Sequence, residues 1–182
     1  MEYKIVTIEN KKDEKFLRHK TQDFDFKKFS SKEINDLVAD MRKAMREANG
    51  IGLSANQIGL THKVFVAEVP NPKGGNKFYA VFNPKIEKFG EEKIGFEEGC
   101  LSVPLTYGEV ERPSKLTLSG YDKKGKPVKI KAWGLLARVF QHEMDHLEGK
   151  LFIDRTKKIN KISPEKRVHA SKRWETQEES DK

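Results

Sequence analysis

Residues 135–149, LLARVFQHEMDHLEG, constrain the fold more than any other stretch, because they break the two-residue rhythm of the runs before them. Leu135, Leu136, Val139, Phe140 and Leu147 recur at helical spacing, and Gly149 stands where such a helix would stop. An apolar stripe of this kind has to be buried. The runs HKVFVAEV, KFYAVFNPKI, KLTLSGYD and KPVKIKAW read as strands, the last two joined around Lys124 and Gly125 as a hairpin. The chain therefore reads as α+β, a single compact domain over residues 1–182 in which antiparallel or mixed sheets surround a central helix.

Other elements carry local signals. SSKEINDLVADMRKAMREANG predicts an N-terminal helix. Ser30 and Glu33 form a capping box, Ile34, Leu37, Val38, Met41 and Met45 form the stripe, and Gly50 is available to end it. YKIVTI reads as a short first strand, and Ser163, Pro164 and Glu165 read as the start of a charged C-terminal helix anchored by Val168 and Trp174.

A length of 182 residues with one cysteine rules out an intramolecular disulfide, so stability must come from the core. No apolar run reaches bilayer length and MEYKIVTIENKK lacks the apolar stretch of a secretory signal, which predicts a cytoplasmic protein without membrane contact. The net charge of +8 is unevenly spread. Between Arg155 and Arg173 lysines and arginines face the single Glu165, and the chain then turns acidic, so residues 160–182 read as a basic, then acidic, helical extension.

On the central helix, His142 and His146 are four residues apart, one turn on the same face, with Glu143 beside them. That spacing lets two imidazoles converge on one ion while the carboxylate acts on water. A third ligand is needed. Downstream, Asp154 and His169 have no recognisable context; upstream, EEGCLSVP places Cys100 in a turn shaped by Gly99 and Pro104, open to reading as a packing thiol or a ligand. His19, His62 and His169 have no partners at ligand spacing and read as surface residues.

Three segments in order, GIGLSANQ (50–57), EGCLS (98–102) and QHEMDH (141–146), resemble the motifs of the peptide deformylase family. The resemblance implies removal of the formyl group from the N-terminal formyl-methionine of new polypeptides, with release of formate. It implies Cys100, His142 and His146 as ligands of one divalent ion, in the family usually ferrous iron, with zinc, nickel or cobalt able to replace it. It assigns Glu143 as the proton carrier, and the side-chain amide of Gln57 with the backbone N–H of Leu101 as oxyanion donors. Ile51, Phe96, Leu135 and Val139 are candidates for an apolar methionine slot, and Gly50 and Gly52 for close passage of the peptide backbone. Arg138 either braces the metal ligands through Glu98 or reaches solvent. Tyr107 stands where an arginine is frequent, and the proline common near the start of the family is missing. The basic C-terminal stretch reads either as a solvated face or, by the resemblance, as a ribosome contact, and the chain reads as a monomer. Two other classes stay open on the residues: a zinc peptidase of the His-Glu-x-x-His kind, and an inactive relative that binds peptides.

Overall fold

VFVAEV, the core of β2 (Val64–Pro70), is buried on both faces, and the architecture follows from what covers each one. In the computed structural model, which describes residues 3–71 and 74–163, Val64 and Val66 pack with Met41 and Met45 of α2 (Ser31–Glu47). Phe65, Ala67 and Val69 face the other way, against Val139, Phe140 and Leu147 of α3 (Gly134–Leu147). Strand β2 belongs to a five-stranded sheet of order β1-β2-β3-β6-β7 with every pair antiparallel. Its other strands are β1 (Gly52–Ser54), β3 (Asn76–Phe89), β6 (Lys115–Tyr121) and β7 (Pro127–Trp133). Across α3 lies a second antiparallel sheet of β4 (Lys93–Cys100), β5 (Val103–Pro113) and β8 (Ile159–Lys161), in the order β4-β5-β8. Val103, Val110, Leu151 and Phe152 form the core beneath it.

The α+β layout around a central helix is thus the observed one, and α2, α3 and the β6–β7 hairpin lie where the sequence places them. Ser30 and Glu33 make the capping box, and Gly149 takes the left-handed conformation (φ 71°) that ends α3. Four details differ. Among the described residues YKIVTI pairs with no strand; it runs extended across two turns, Val6 N–H donating to the Gln57 carbonyl (2.8 Å) and Ile8 N–H to that of Ser102 (2.9 Å). Helix α2 stops one residue earlier than expected, with Asn49 rather than Gly50 in the left-handed position (φ 58°). A short helix α1 (Lys11–Leu17), capped by the Asn10 side chain, lies in a polar stretch with too few apolar positions to show a period. His62 is half-buried, its ring edge-on to Phe24 and Phe29, rather than on the surface. The expected C-terminal helix falls on residues 164–182, outside the described residues; just before it, β8 adds to β5, Lys161 opposite Thr106.

The one charge inside β2 is Glu68, and it is paired. Arg42 and Arg46, one turn apart on α2, bond its carboxylate at 2.6 and 2.7 Å. Hydrogen bonds from Arg46 and Arg42 hold its pKa down at about 2, below the ordinary 4.5. A depressed carboxylate contributes stability above its unfolded value and loses it as pH falls through the folded one. Melting temperatures of the native protein and Glu68→Gln should therefore differ most above about pH 5 and converge toward about pH 2; curves that run parallel across that window would show that the pair contributes nothing.

Candidate metal centre

Helix α3 holds two of the three expected ligands by its geometry alone. One turn separates His142 from His146, and their ring centroids lie 5.0 Å apart. Cys100 comes from the tip of the β4–β5 hairpin, where a register shift between Gly99 and Cys100 closes the turn through Leu101 and Ser102. The Cys100 sulfur lies 3.1 Å from His146 Nε2, and one donor atom from each of the three residues falls within 4.8 Å of the others. Donors bound at 2.0–2.3 Å around a tetrahedral ion stand about 3.5 Å apart, so this group fits a metal.

The surroundings fit as well. His142 Nδ1 lies 3.1 Å from Glu98 Oε2, which leaves Nε2 for an ion. Burial alone would push the Glu98 carboxyl up, but hydrogen bonds from Arg112 and His142 hold it well below the usual carboxylate range. His142 is disfavoured as a cation by burial, yet the Cys100 sulfur and Glu98 raise its pKa well above the ordinary value. His146, its pKa pushed well down by burial, stays neutral with a lone pair to give.

Arg138 reaches Glu98 and not solvent. It is 7% exposed, donates to Glu98 (2.7 Å) and to the carbonyls of Val110 (2.9 Å) and Ile94 (2.6 Å), and stacks its guanidinium over Phe96. Arg112, which the sequence reading passed over, completes the cluster: it bonds Glu98 through two nitrogens (2.6 and 2.8 Å) and Asp145 through a third (2.8 Å). Its signal lay in phase, since Thr106, Gly108, Val110 and Arg112 are the buried positions of an alternating strand.

Glu143 is 3% exposed, and burial raises its pKa to about 7. Its carboxylate lies so near Gly52 that a Cβ there would overlap Oε1 and crowd Val139, which explains a glycine at this position. The Gln57 amide is fixed at both ends: Oε1 accepts from Ser54 N–H (2.9 Å), and Nε2 donates to Ser102 Oγ (3.1 Å), 3.7 Å from the Cys100 sulfur. Gly50, Ile51, Gly52, Phe96, Leu135 and Val139 all line one pocket, which Glu143, Cys100 and His142 also face. Leu101, Tyr107 and Leu105 share its wall, and Leu105 does so in the left-handed region (φ 55°), a backbone conformation no sequence pattern announced.

Comparison with known proteins agrees with this geometry. The family model described as polypeptide deformylase matches residues 3–162. A peptide deformylase of a Picosynechococcus species is 44% identical over 123 residues, 68% of this chain and 66% of that relative, a little under two thirds of its length. The crystal structure of a probable peptide deformylase from Synechococcus phage S-SSM7 superposes with a TM-score of 0.76 at 42% identity, covering 85% of this chain and 99% of that one. A class I type b peptide deformylase from Acinetobacter baumannii, solved with Met-Ala-Ser bound, gives a TM-score of 0.77 at 29% identity, covering 86% and 99%. The chain belongs to the polypeptide deformylase family, metal-dependent enzymes that remove the N-formyl group from new peptides.

Proposed function

We propose that this chain hydrolyses the formyl amide of N-formylmethionyl peptides, releasing formate, with one divalent ion held by Cys100, His142 and His146. The observation that carries the reading is the meeting of those three donor groups beside a pocket that two of them, Cys100 and His142, line together with Glu143 and Gln57. When bound, such an ion supplies Lewis-acid chemistry, making water more acidic and polarising a carbonyl. Ferrous iron is the proposed natural occupant and zinc, nickel or cobalt its substitutes, since a thiolate with two imidazoles suits all of them.

Glu143 takes a proton from the attacking water and delivers it to the departing nitrogen, so that a C–O bond forms, the amide C–N bond breaks and the peptide leaves with a free amine. A pKa raised to about 7 suits a group that must both accept and return a proton near neutrality. Gln57 Nε2 and the backbone N–H of Leu101 donate to the carbonyl oxygen as it gains charge. Glu98 and Arg138 hold His142 in orientation.

Ile51, Phe96, Leu135 and Val139 form the methionine slot. Gly50 and Gly52 let the peptide backbone run beside β1, an edge strand of its sheet, in the manner of strand addition. The bound peptide of the Acinetobacter protein begins with methionine, as this slot requires. The chain is read as a monomeric single domain over residues 1–182 acting in the cytoplasm, where formylated chains emerge, with the extension 160–182 docking to ribosomal RNA by charge. No helix among the described residues is long and apolar enough to cross a membrane.

Formate release from a formyl-methionyl peptide is the direct test. Protein purified without oxygen or loaded with nickel turns over, Glu143→Ala loses activity by about a hundredfold or more, and chelation abolishes turnover until a divalent ion is restored. Cleavage of unformylated internal peptide bonds instead would identify a general peptidase, and a metal-loaded protein inert to both would be a binder. Val139→Trp should fill the slot and erase the preference for methionine over smaller first residues; a preference left intact would move the slot elsewhere. Removing residues 164–182 should weaken co-sedimentation with ribosomes while peptide turnover persists, and unchanged co-sedimentation would remove the docking role.

A further inference from the structure

Ser54 stands in the segment GIGLSANQ, between Gly52 and Gln57. It ends β1, is 0% exposed, and its hydroxyl oxygen lies 2.7 Å from Glu143 Oε2 and 3.0 Å from the Glu143 carbonyl oxygen. A hydroxyl carries one proton and can donate to only one of the two. The carbonyl lies inside α3, where it already accepts a helical hydrogen bond, whereas the carboxylate is the charged and nearer acceptor. The other oxygen, Oε1, lies against Gly52, and both Gly52 and Glu143 line the pocket.

We propose that Ser54 is a positioning residue for Glu143: by donating to Oε2 it holds the carboxylate in one rotamer and leaves Oε1, on the pocket wall, as the oxygen that exchanges the proton. This rests on the reading of Glu143 as the proton carrier. The two oxygens of the carboxylate thereby have separate duties, one as anchor and one as base. The backbone N–H of the same residue anchors Gln57 Oε1, so β1 sets the orientation of both groups from one position. The two anchors separate experimentally, because a side-chain substitution at residue 54 removes the Glu143 contact and keeps the main-chain bond to Gln57.

The experiment compares the full chain with Ser54→Ala, Ser54→Thr, Glu143→Ala and the double variant Ser54→Ala/Glu143→Ala, all nickel-loaded. It measures formate release from a formyl-methionyl peptide, metal content and melting temperature. With an anchoring role, Ser54→Ala lowers kcat roughly tenfold, the usual scale for a lost hydrogen bond to a charged group, while KM stays within about twofold and metal content and melting are unchanged. Ser54→Thr, which keeps the hydroxyl, recovers most of kcat. In the Glu143→Ala background Ser54→Ala costs nothing further, because residues acting as a unit are non-additive. An unchanged kcat in Ser54→Ala overturns the proposal. So does a loss that tracks metal content or melting temperature and persists without Glu143, which would make Ser54 a staple between β1 and α3. If the unsubstituted protein releases no formate, the reading of Glu143 fails and this inference falls with it.

Discussion

The carboxylate of Glu98 is the contact on which the rest of the site depends. It is buried, and a buried charge is tolerated only when its lone pairs are filled and its charge is matched. Arg112 of β5 and, one turn apart on α3, Arg138 and His142 meet it from two elements. One side chain thus locks the β4–β5 hairpin to the central helix and fixes the ring of a proposed ligand. Arg112 extends the lock to Asp145, which Arg155 also bonds from beyond the helix, so that both ends of the ligand-bearing segment are tied to charge. The arrangement makes the site rigid by over-determination: each ion in it would be costly if any partner were missing.

Around this lock the remaining groups take complementary environments. His146 and Glu143 sit where burial favours their neutral forms, and Glu98 and Arg112 sit where opposite charges favour their ionised ones. Groups of the same chemical type, the glutamates 98 and 143, are driven in opposite directions: Arg112 and His142 hold Glu98 as a fixed structural charge, and burial pushes Glu143 toward its protonated form. The apolar wall of Ile51, Phe96, Leu135 and Val139 sits at the same opening, so that α3 contributes both to that wall and, through His142 and Glu143, to the polar side of the pocket.

The sequence was most informative where structure is set by near neighbours. The capping box of Ser30 and Glu33, the stripe of α3 and the β6–β7 hairpin depend on residues a few positions apart, and each was legible. The convergence of Cys100 with His142 and His146 was legible only through motif order, since nothing local ties Cys100 to the helix that follows. Three features were hidden. β4 and β5 carry glutamates and glycines that break apolar alternation, so their pairing shows only in three dimensions. The extended run after Tyr3 resembles a strand but satisfies its backbone on two turns. The fate of Arg138, left open between solvent and Glu98, was decided by the cavity that β4 and β5 build around it.

That extended run has a consequence for how the molecule comes together. Val6 and Ile8 bond to the turns that carry Gln57 and Ser102, and those turns in turn meet α3, so segments from the beginning, middle and end of the described chain converge on one spot. Such non-local closure is slow relative to helix formation, because loop entropy is lost before any contact rewards it. The site is therefore complete only when these distant segments have closed on one another. A chain with only α2 packed on its sheet would leave Cys100 apart from His142 and His146, so a centre that holds an ion reports on contacts from every part of the described chain.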